Sequence, residues 1–427
     1  MAEAYDRQRK KVERLSAANS IRAVFQSGSA AAGNGPDVEP AGKITFSALD
    51  GLRGLFALGV ALYHVGWPWH GYDLPLCRQT YLAVDFFFVL SGFVITHATF
   101  GKLRTRLDGA VFALRRFGRV WPLHAAMLGI LIIDELLKLM ATHGGAVARK
   151  APFAAHGNRS VESIFTNLAL VQSLHLHDST TWNHPSWSIS TEFYTYLLFA
   201  LVAIVATRWM TTLAVIFVVT SAWLLYQLVP WIGTTVDFGF FRCVYGFFTG
   251  YLVYTWWRAH PKPLAHPMIG EGVCVLLLAG FGFWTIAVPK ASLLAPIFFA
   301  VSVWVFAHQQ GPLSRVLQSR PMQLLGLWSY SIYMVHQAVV ILFNRSISAV
   351  GKVTHREVVF MIGSPGSEKE FLSLGNPWVM DLLALAYVAV VICAAAAATR
   401  FIEAPCREYF NRLARRKAAS WSSGVQN

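Results

Sequence analysis

Ten stretches of roughly 17–23 mostly apolar residues constrain this chain more than any motif does. They fall at approximately 48–66, 80–98, 120–140, 188–206, 211–229, 236–256, 269–288, 292–308, 324–344 and 378–400. A helix of about 20 residues is roughly 30 Å long, the depth of a bilayer's hydrocarbon. In that medium the backbone must satisfy its own N–H and C=O groups, which a helix does within one segment. Only 14% of the residues are charged, against about 25% in a soluble protein, and 55% are hydrophobic. The expected fold class is an all-α polytopic membrane protein with about ten transmembrane helices.

The formal net charge of +14 would suit a nucleic-acid partner, but its distribution argues against one. Lys and Arg gather in the tails and in alternate loops, as membrane orientation requires. With the N-terminus cytoplasmic, roughly 24 of the 36 basic residues lie on the cytoplasmic side and roughly 9 outside. Both termini are therefore expected in the cytoplasm. Residues 1–43 read as a basic, disordered tail without the apolar core of a cleavable signal peptide. Residues 44–410 read as the transmembrane domain and 411–427 as a second basic tail. Two outer loops are long, 141–187 and 346–377, and the first holds an apolar piece, 164–174. That piece is too short to span and is expected to be an interfacial or re-entrant helix. The five cysteines show no C-x-x-C spacing and read as packing residues.

Arg53 and His64 stand eleven residues apart in the first span. At about 100° per residue they share one helix face, roughly 16 Å apart along it. A cation and an imidazole on one face suggest a polar chamber, although a snorkelling Arg and an interfacial His account for the pair taken alone. The alternating span directions place His64, Asp85, Glu192 and Arg242 at one depth in the outer half, with Ser188 at the mouth of the fourth span. Four ionisable groups at one level point to a functional cavity. Tyr330 and His336 in the ninth span are further candidates to line it; His336 donating to a neighbouring carbonyl is an equal reading.

At the other end, Arg115, Arg116 and Arg119 open the third span, with Arg116 and Arg119 neighbours at i,i+3 and Arg53 at the same level. Positive-inside charge alone explains basic residues there, but the density of guanidinium groups also suits bidentate phosphate binding. The two clusters suit an extended ligand such as coenzyme A, a nucleotide with an arm of roughly 15–20 Å. His64 would then be a general base toward a hydroxyl, or an acyl-accepting nucleophile, with Asp85 or Glu192 fixing its tautomer. Glu403 is expected to pair with a basic neighbour. His143, His156, His175, His177 and His184 gather near the first long loop, but no carboxylate or cysteine completes a ligand set, so no metal is expected. Trp187 is expected in the interfacial belt, or stacked on a sugar.

These residues carry a family likeness. Leu49-Asp50-Gly51-Leu52-Arg53-Gly54 with His64 downstream resembles the opening motif of the acyltransferase-3 family of integral membrane proteins. Val84 to Phe93, the Arg-Arg-x-x-Arg stretch ending at Trp121-Pro122, and Trp187 to Tyr194 are similar to its next motifs. Gly326 to His336 and Phe401 to Arg407 are similar to its late ones, so the likeness runs in order from about 45 to 410. The resemblance implies an O-acyltransferase, usually of acetyl groups, acting on hydroxyls of polysaccharides, lipopolysaccharide, lipids or small molecules. It implies His64 as the essential histidine, Arg53 as its paired arginine, and Arg116 and Arg119 as the R-x-x-R motif. Asp85 and Glu192 occupy the acidic positions. The donor would be acetyl-CoA or another acyl-CoA, and the acceptor a glycan or lipid-linked glycan. The site would be a bacterial inner membrane, with lipids as partners and self-association left open. A secondary transporter is the rival, but the matched repeats with broken helices that such folds show are not found.

Overall fold

In a computed structural model, the described residues are 44–143, 151–155, 157–362 and 369–424. The expected N-terminal tail lies outside them, as do parts of both long loops. Phe46 onward forms one compact unit. A helix stands at each of the ten expected segments: α1 Ser47–Tyr63, α2 Ala83–Thr99, α3 Arg106–His143, α4 Trp187–Val205, α5 Met210–Leu228, α6 Gly239–Ala259, α7 Pro267–Ala287, α8 Ala295–Ala307, α9 Arg320–Thr354 and α10 Pro377–Ala398. A π-helical turn, Thr399–Glu403, leads from α10 into α11, Ala404–Gly424, which takes up most of the basic C-terminal stretch.

Among the described residues, seven helical stretches are long and apolar enough to cross a membrane. They carry α2, α4, α5, α7, α8, α9 and α10. The other three depart for visible reasons. α1 has only 17 residues, α3 carries Arg116, Arg119, Asp134, Glu135 and Lys138 along its length, and α6 mixes Arg242 with glycines and tyrosines. Large apolar side chains stand exposed on the outer helices, among them Leu201, Val219, Leu276, Leu382 and Leu385. In water such a surface would be a liability; facing lipid tails it costs nothing. The chain is a multi-pass helical membrane protein.

Contacts between helices are close because glycines remove side chains where backbones meet. A Cβ on Gly54 would press on the backbone of Leu325 and Gly326, and one on Gly326 would overlap the Asp50 carbonyl, so α1 lies directly on α9. In the same way Gly92 and Gly250 bring α2 against α6. These two crossings set the walls between which the polar residues gather. α10 starts under a cap, the Asn376 side chain accepting from the Trp378 N–H with Pro377 in the first turn.

The first long loop holds an eight-residue helix, Val161–Leu168, capped by Ser160, with Val161 and Phe165 exposed. Its neighbour Ala169 ends the helix, so the expected element is shorter than the apolar stretch 164–174. The second long loop holds a small antiparallel hairpin, Val359–Ile362 against Lys369–Leu372, which the all-α expectation did not include.

Candidate active site

Among the described residues, two of the cavities between the helices are lined by ionisable side chains. The first, about 800 Å³, holds His64 and is lined by Tyr63, Tyr81, Trp187, Trp231, Arg242 and loop residues His175 to Thr180. The second, about 370 Å³, is lined by Arg53, Arg115, Arg116, Arg119 and Arg407, with Glu192, Tyr196 and Tyr330. Of the groups expected at one outer level, His64 and Arg242 share the first chamber, Ser188, Glu192 and Tyr330 line the second beside Arg53, Arg116 and Arg119, and Asp85 and His336 line neither.

In the histidine chamber, His64 closes the last turn of α1 and its Nδ1 lies 2.8 Å from the Val60 carbonyl oxygen. A carbonyl can only accept, so Nδ1 carries a proton, and in the neutral imidazole Nε2 keeps its lone pair. This corrects the expectation that Asp85 or Glu192 orients the imidazole: the backbone one turn earlier does so. His184 and His336 lie beside it, with ring centroids 5.2 and 4.9 Å from that of His64. His336 is fully buried, its Nδ1 is 3.3 Å from the Ile332 carbonyl, and its Nε2 has no hydrogen-bond partner. The carbonyl it meets belongs to its own helix, not a neighbouring one. Among the described residues no His, Cys, Asp or Glu group could hold a metal ion.

Asp85 is committed elsewhere. Arg242 Nε and Nη2 donate to its two oxygens at 2.9 and 2.7 Å, and Nη1 donates to the Thr234 carbonyl at 3.2 Å. Both side chains are buried, and the guanidinium also lies 5.2 Å from the Trp187 ring centroid. Trp187 is thus an interior cation–π partner, 5% exposed, rather than part of an interfacial belt. The bidentate pair ties α2 to α6 and forms the floor of the chamber beneath the 229–238 loop. At its rim Asp237 lies in the loop before α6, which starts at Gly239 rather than at the expected 236. Burial pushes its carboxyl up, but hydrogen bonds from the Thr234 hydroxyl and backbone N–H groups outweigh this and hold it below the ordinary value.

Glu192 stands in the arginine chamber, not beside His64. It accepts from the Ser91 hydroxyl. The reason is the start of α4: Trp187 is buried against the Phe88 ring and the Arg242 guanidinium, so it marks no membrane boundary, and Glu192 lies five residues, about 7.5 Å, further in. In the same chamber Arg53 donates to Ser329 Oγ and the Gly326 carbonyl, both at 2.8 Å, and meets Asp50 at 3.1 Å. It fastens α1 to α9 while lining the cavity. Arg119 is 3.4 Å from Glu403, a buried carboxylate that also faces Arg407 and accepts from Ser331 at 2.9 Å. Arg116 packs over the Phe112 and Tyr196 rings and its Nε is unpartnered. A cluster of cations with one free donor group is suited to an anionic ligand.

One layer of side chains divides the chambers. Val84 and Tyr333 line both, and the Tyr333 hydroxyl is 2.9 Å from Ser188 Oγ. Tyr333, Ser91, Tyr196 and Arg407 did not emerge from the sequence. The spacing Tyr330, Tyr333, His336 at i, i+3, i+6 marks one face of α9 and was the available signal.

A family profile described as an acyltransferase domain matches residues 46–398. The peptidoglycan O-acetyltransferase OatA of Listeria monocytogenes is 24% identical over 326 residues, 69% of this chain and 49% of that protein. This chain thus spans about half of that relative's length. The acyltransferase MdmB of Streptomyces mycarofaciens is 26% identical over 417 residues, 87% of this chain and 94% of that protein. A Rhizobium radiobacter protein named protein 2 in the picA locus is 39% identical over 87 residues, 20% of this chain and 44% of that protein. No solved structure matches.

Proposed function

The chain belongs to the acyltransferase-3 family, and on that premise we propose that it is a membrane O-acyltransferase using acyl-CoA. The acyl group, acetyl in the simplest case, goes to a hydroxyl of a surface polysaccharide, lipopolysaccharide or lipid-linked glycan. Helices α1–α10 span a bacterial inner membrane, with both termini and the arginine chamber toward the cytoplasm. The observation that carries this reading is the pair of adjoining chambers, one cationic and holding Arg53, the other holding His64, two residues about 16 Å apart along α1.

The donor's phosphates lie against Arg116, Arg119 and Arg407, with Arg53 at the chamber wall. Its arm runs toward His64. His64 Nε2 takes the proton of the acceptor hydroxyl as the oxygen attacks the thioester carbonyl; the C–O bond forms, the C–S bond breaks, and the thiolate takes up the proton. The products are an ester and free coenzyme A. The tyrosines and tryptophans of the histidine chamber, with Asp178 and Asp237 at its rim, supply the stacking faces and acceptors that sugars use.

The experiment is mass spectrometry of surface glycans and lipids from cells with the gene intact, deleted, or carrying His64→Ala. The expected result is a loss of one acyl mass unit per modified hydroxyl in the last two. An identical profile in all three strains would sink the surface-glycan reading.

A further inference from the structure

The residues that would hold the donor and the residue that would accept the proton do not share a cavity. His64 lines only the larger chamber, and Arg116 and Arg119 line only the smaller. An acyl donor anchored at the arginines must therefore pass its acyl end through the dividing layer. The walls of that passage come from three helices: Val84 of α2, Ser188 of α4 and Tyr333 of α9. We propose that Tyr333 is a specificity-determining residue whose ring sets the width of acyl group that can reach His64. The proposal rests on the acyl-CoA reading above.

Three observations fix the ring as a rigid wall. Its hydroxyl is held by Ser188 across the passage. Its edge meets Phe87 at 5.9 Å and His336 at 6.0 Å between centroids. It is 6% exposed, so turning it aside would require displacing packed neighbours on both sides. Val84, which also lines both chambers, is β-branched and 6% exposed, which leaves it few rotamers with which to yield. The acyl group leads the donor's arm through this opening. A linear acetyl group is no wider than the arm that follows it, whereas a branched group is wider at its first substituted carbon. Beyond the opening the histidine chamber is roomy, about 800 Å³, so the width at the passage discriminates and the space around His64 does not. Misfit of a single apolar branch in a close-fitting site reduces the specificity constant by about tenfold or more.

The test uses membranes containing the full chain and their own envelope acceptors, with acetyl-CoA and isovaleryl-CoA as probes. Free thiol release and acyl groups recovered in the envelope fraction are both measured. A ratio of the two donors is insensitive to how much protein is folded. Tyr333→Ala should raise the isovaleryl-to-acetyl ratio at least tenfold. Tyr333→Phe, which keeps the ring and loses only the bond to Ser188, should raise it less than threefold. Val84→Ala should raise it in the same direction from the α2 wall, and serves where Tyr333→Ala does not fold. An unchanged ratio in both widened variants, with acetyl transfer still measurable, overturns the proposal and leaves the acyltransferase reading standing. Wild-type chain that consumes neither thioester overturns both.

Discussion

The buried pair Arg242–Asp85 offers the sharpest energetic test. Asp85 is 0% and Arg242 2% exposed, and two hydrogen bonds of 2.9 and 2.7 Å join them in parallel. A carboxylate left alone in that place is buried away from solvent, and no other side chain among the described residues bonds to it. Removing one partner of such a pair costs about 3–5 kcal/mol, because the remaining charge stays buried without compensation. Arg242→Met should show a loss of that size, larger still if the freed Thr234 carbonyl finds no donor. The double variant Arg242→Met with Asp85→Leu removes both charges and should cost less than Arg242→Met alone. Reversible unfolding in mixed micelles, read by tryptophan fluorescence, gives all four corners of the cycle. A loss under about 1 kcal/mol in Arg242→Met, or a double variant that costs the sum of its parts, would refute the reasoning.

Three further outcomes are expected. Arg116→Ala with Arg119→Ala should raise the KM for acetyl-CoA at least tenfold while the acceptor KM stays within threefold; equal changes in both would remove the phosphate assignment. Gly326→Val should separate α1 from α9, because a side chain there meets the Asp50 carbonyl, and should destabilise the fold by about 1–3 kcal/mol or more; a melting temperature within one degree of wild type, about the precision of the measurement, would contradict the close crossing. Asp237 has a depressed folded-state pKa, so its stabilising contribution is present above its ordinary pKa of 3.8 and is lost as pH falls through the lower folded value. The stability difference between wild type and Asp237→Asn should therefore be present at pH 7 and shrink below about pH 4; a difference that grows on acidification would contradict it.

The helices were legible because lipid imposes one simple rule, an apolar run long enough to cross, and among the described residues seven helical stretches satisfy it on length and composition alone. Arg53, Arg116 and Arg119, each near the end of an expected span, line one cavity. What failed was depth judged from a single boundary residue. Trp187 looked like the edge of a membrane, but it is buried against Phe88 and Arg242, and Glu192 stands with the arginines rather than the histidine. Partner choice was illegible for another reason. Asp85 and Glu192 both lie near His64 in a list of spans, yet Arg242 outcompetes any imidazole for Asp85 by presenting two charged donors in a fixed fork. His64 needed no carboxylate, because the Val60 carbonyl one turn back was already within reach. Tyr333 went unnoticed because a tyrosine in an apolar span is usually packing, and its role depends on which residues face it across the passage.

The central claim is that His64 carries acyl transfer from a thioester held by the arginine chamber. The direct measurement is transfer of radiolabelled acetyl from acetyl-CoA to the envelope fraction of membranes containing wild-type chain or His64→Ala at equal abundance. Label should appear with the wild type and be absent with His64→Ala, while the latter still binds acetyl-CoA with unchanged affinity. Equal labelling by both would contradict the account.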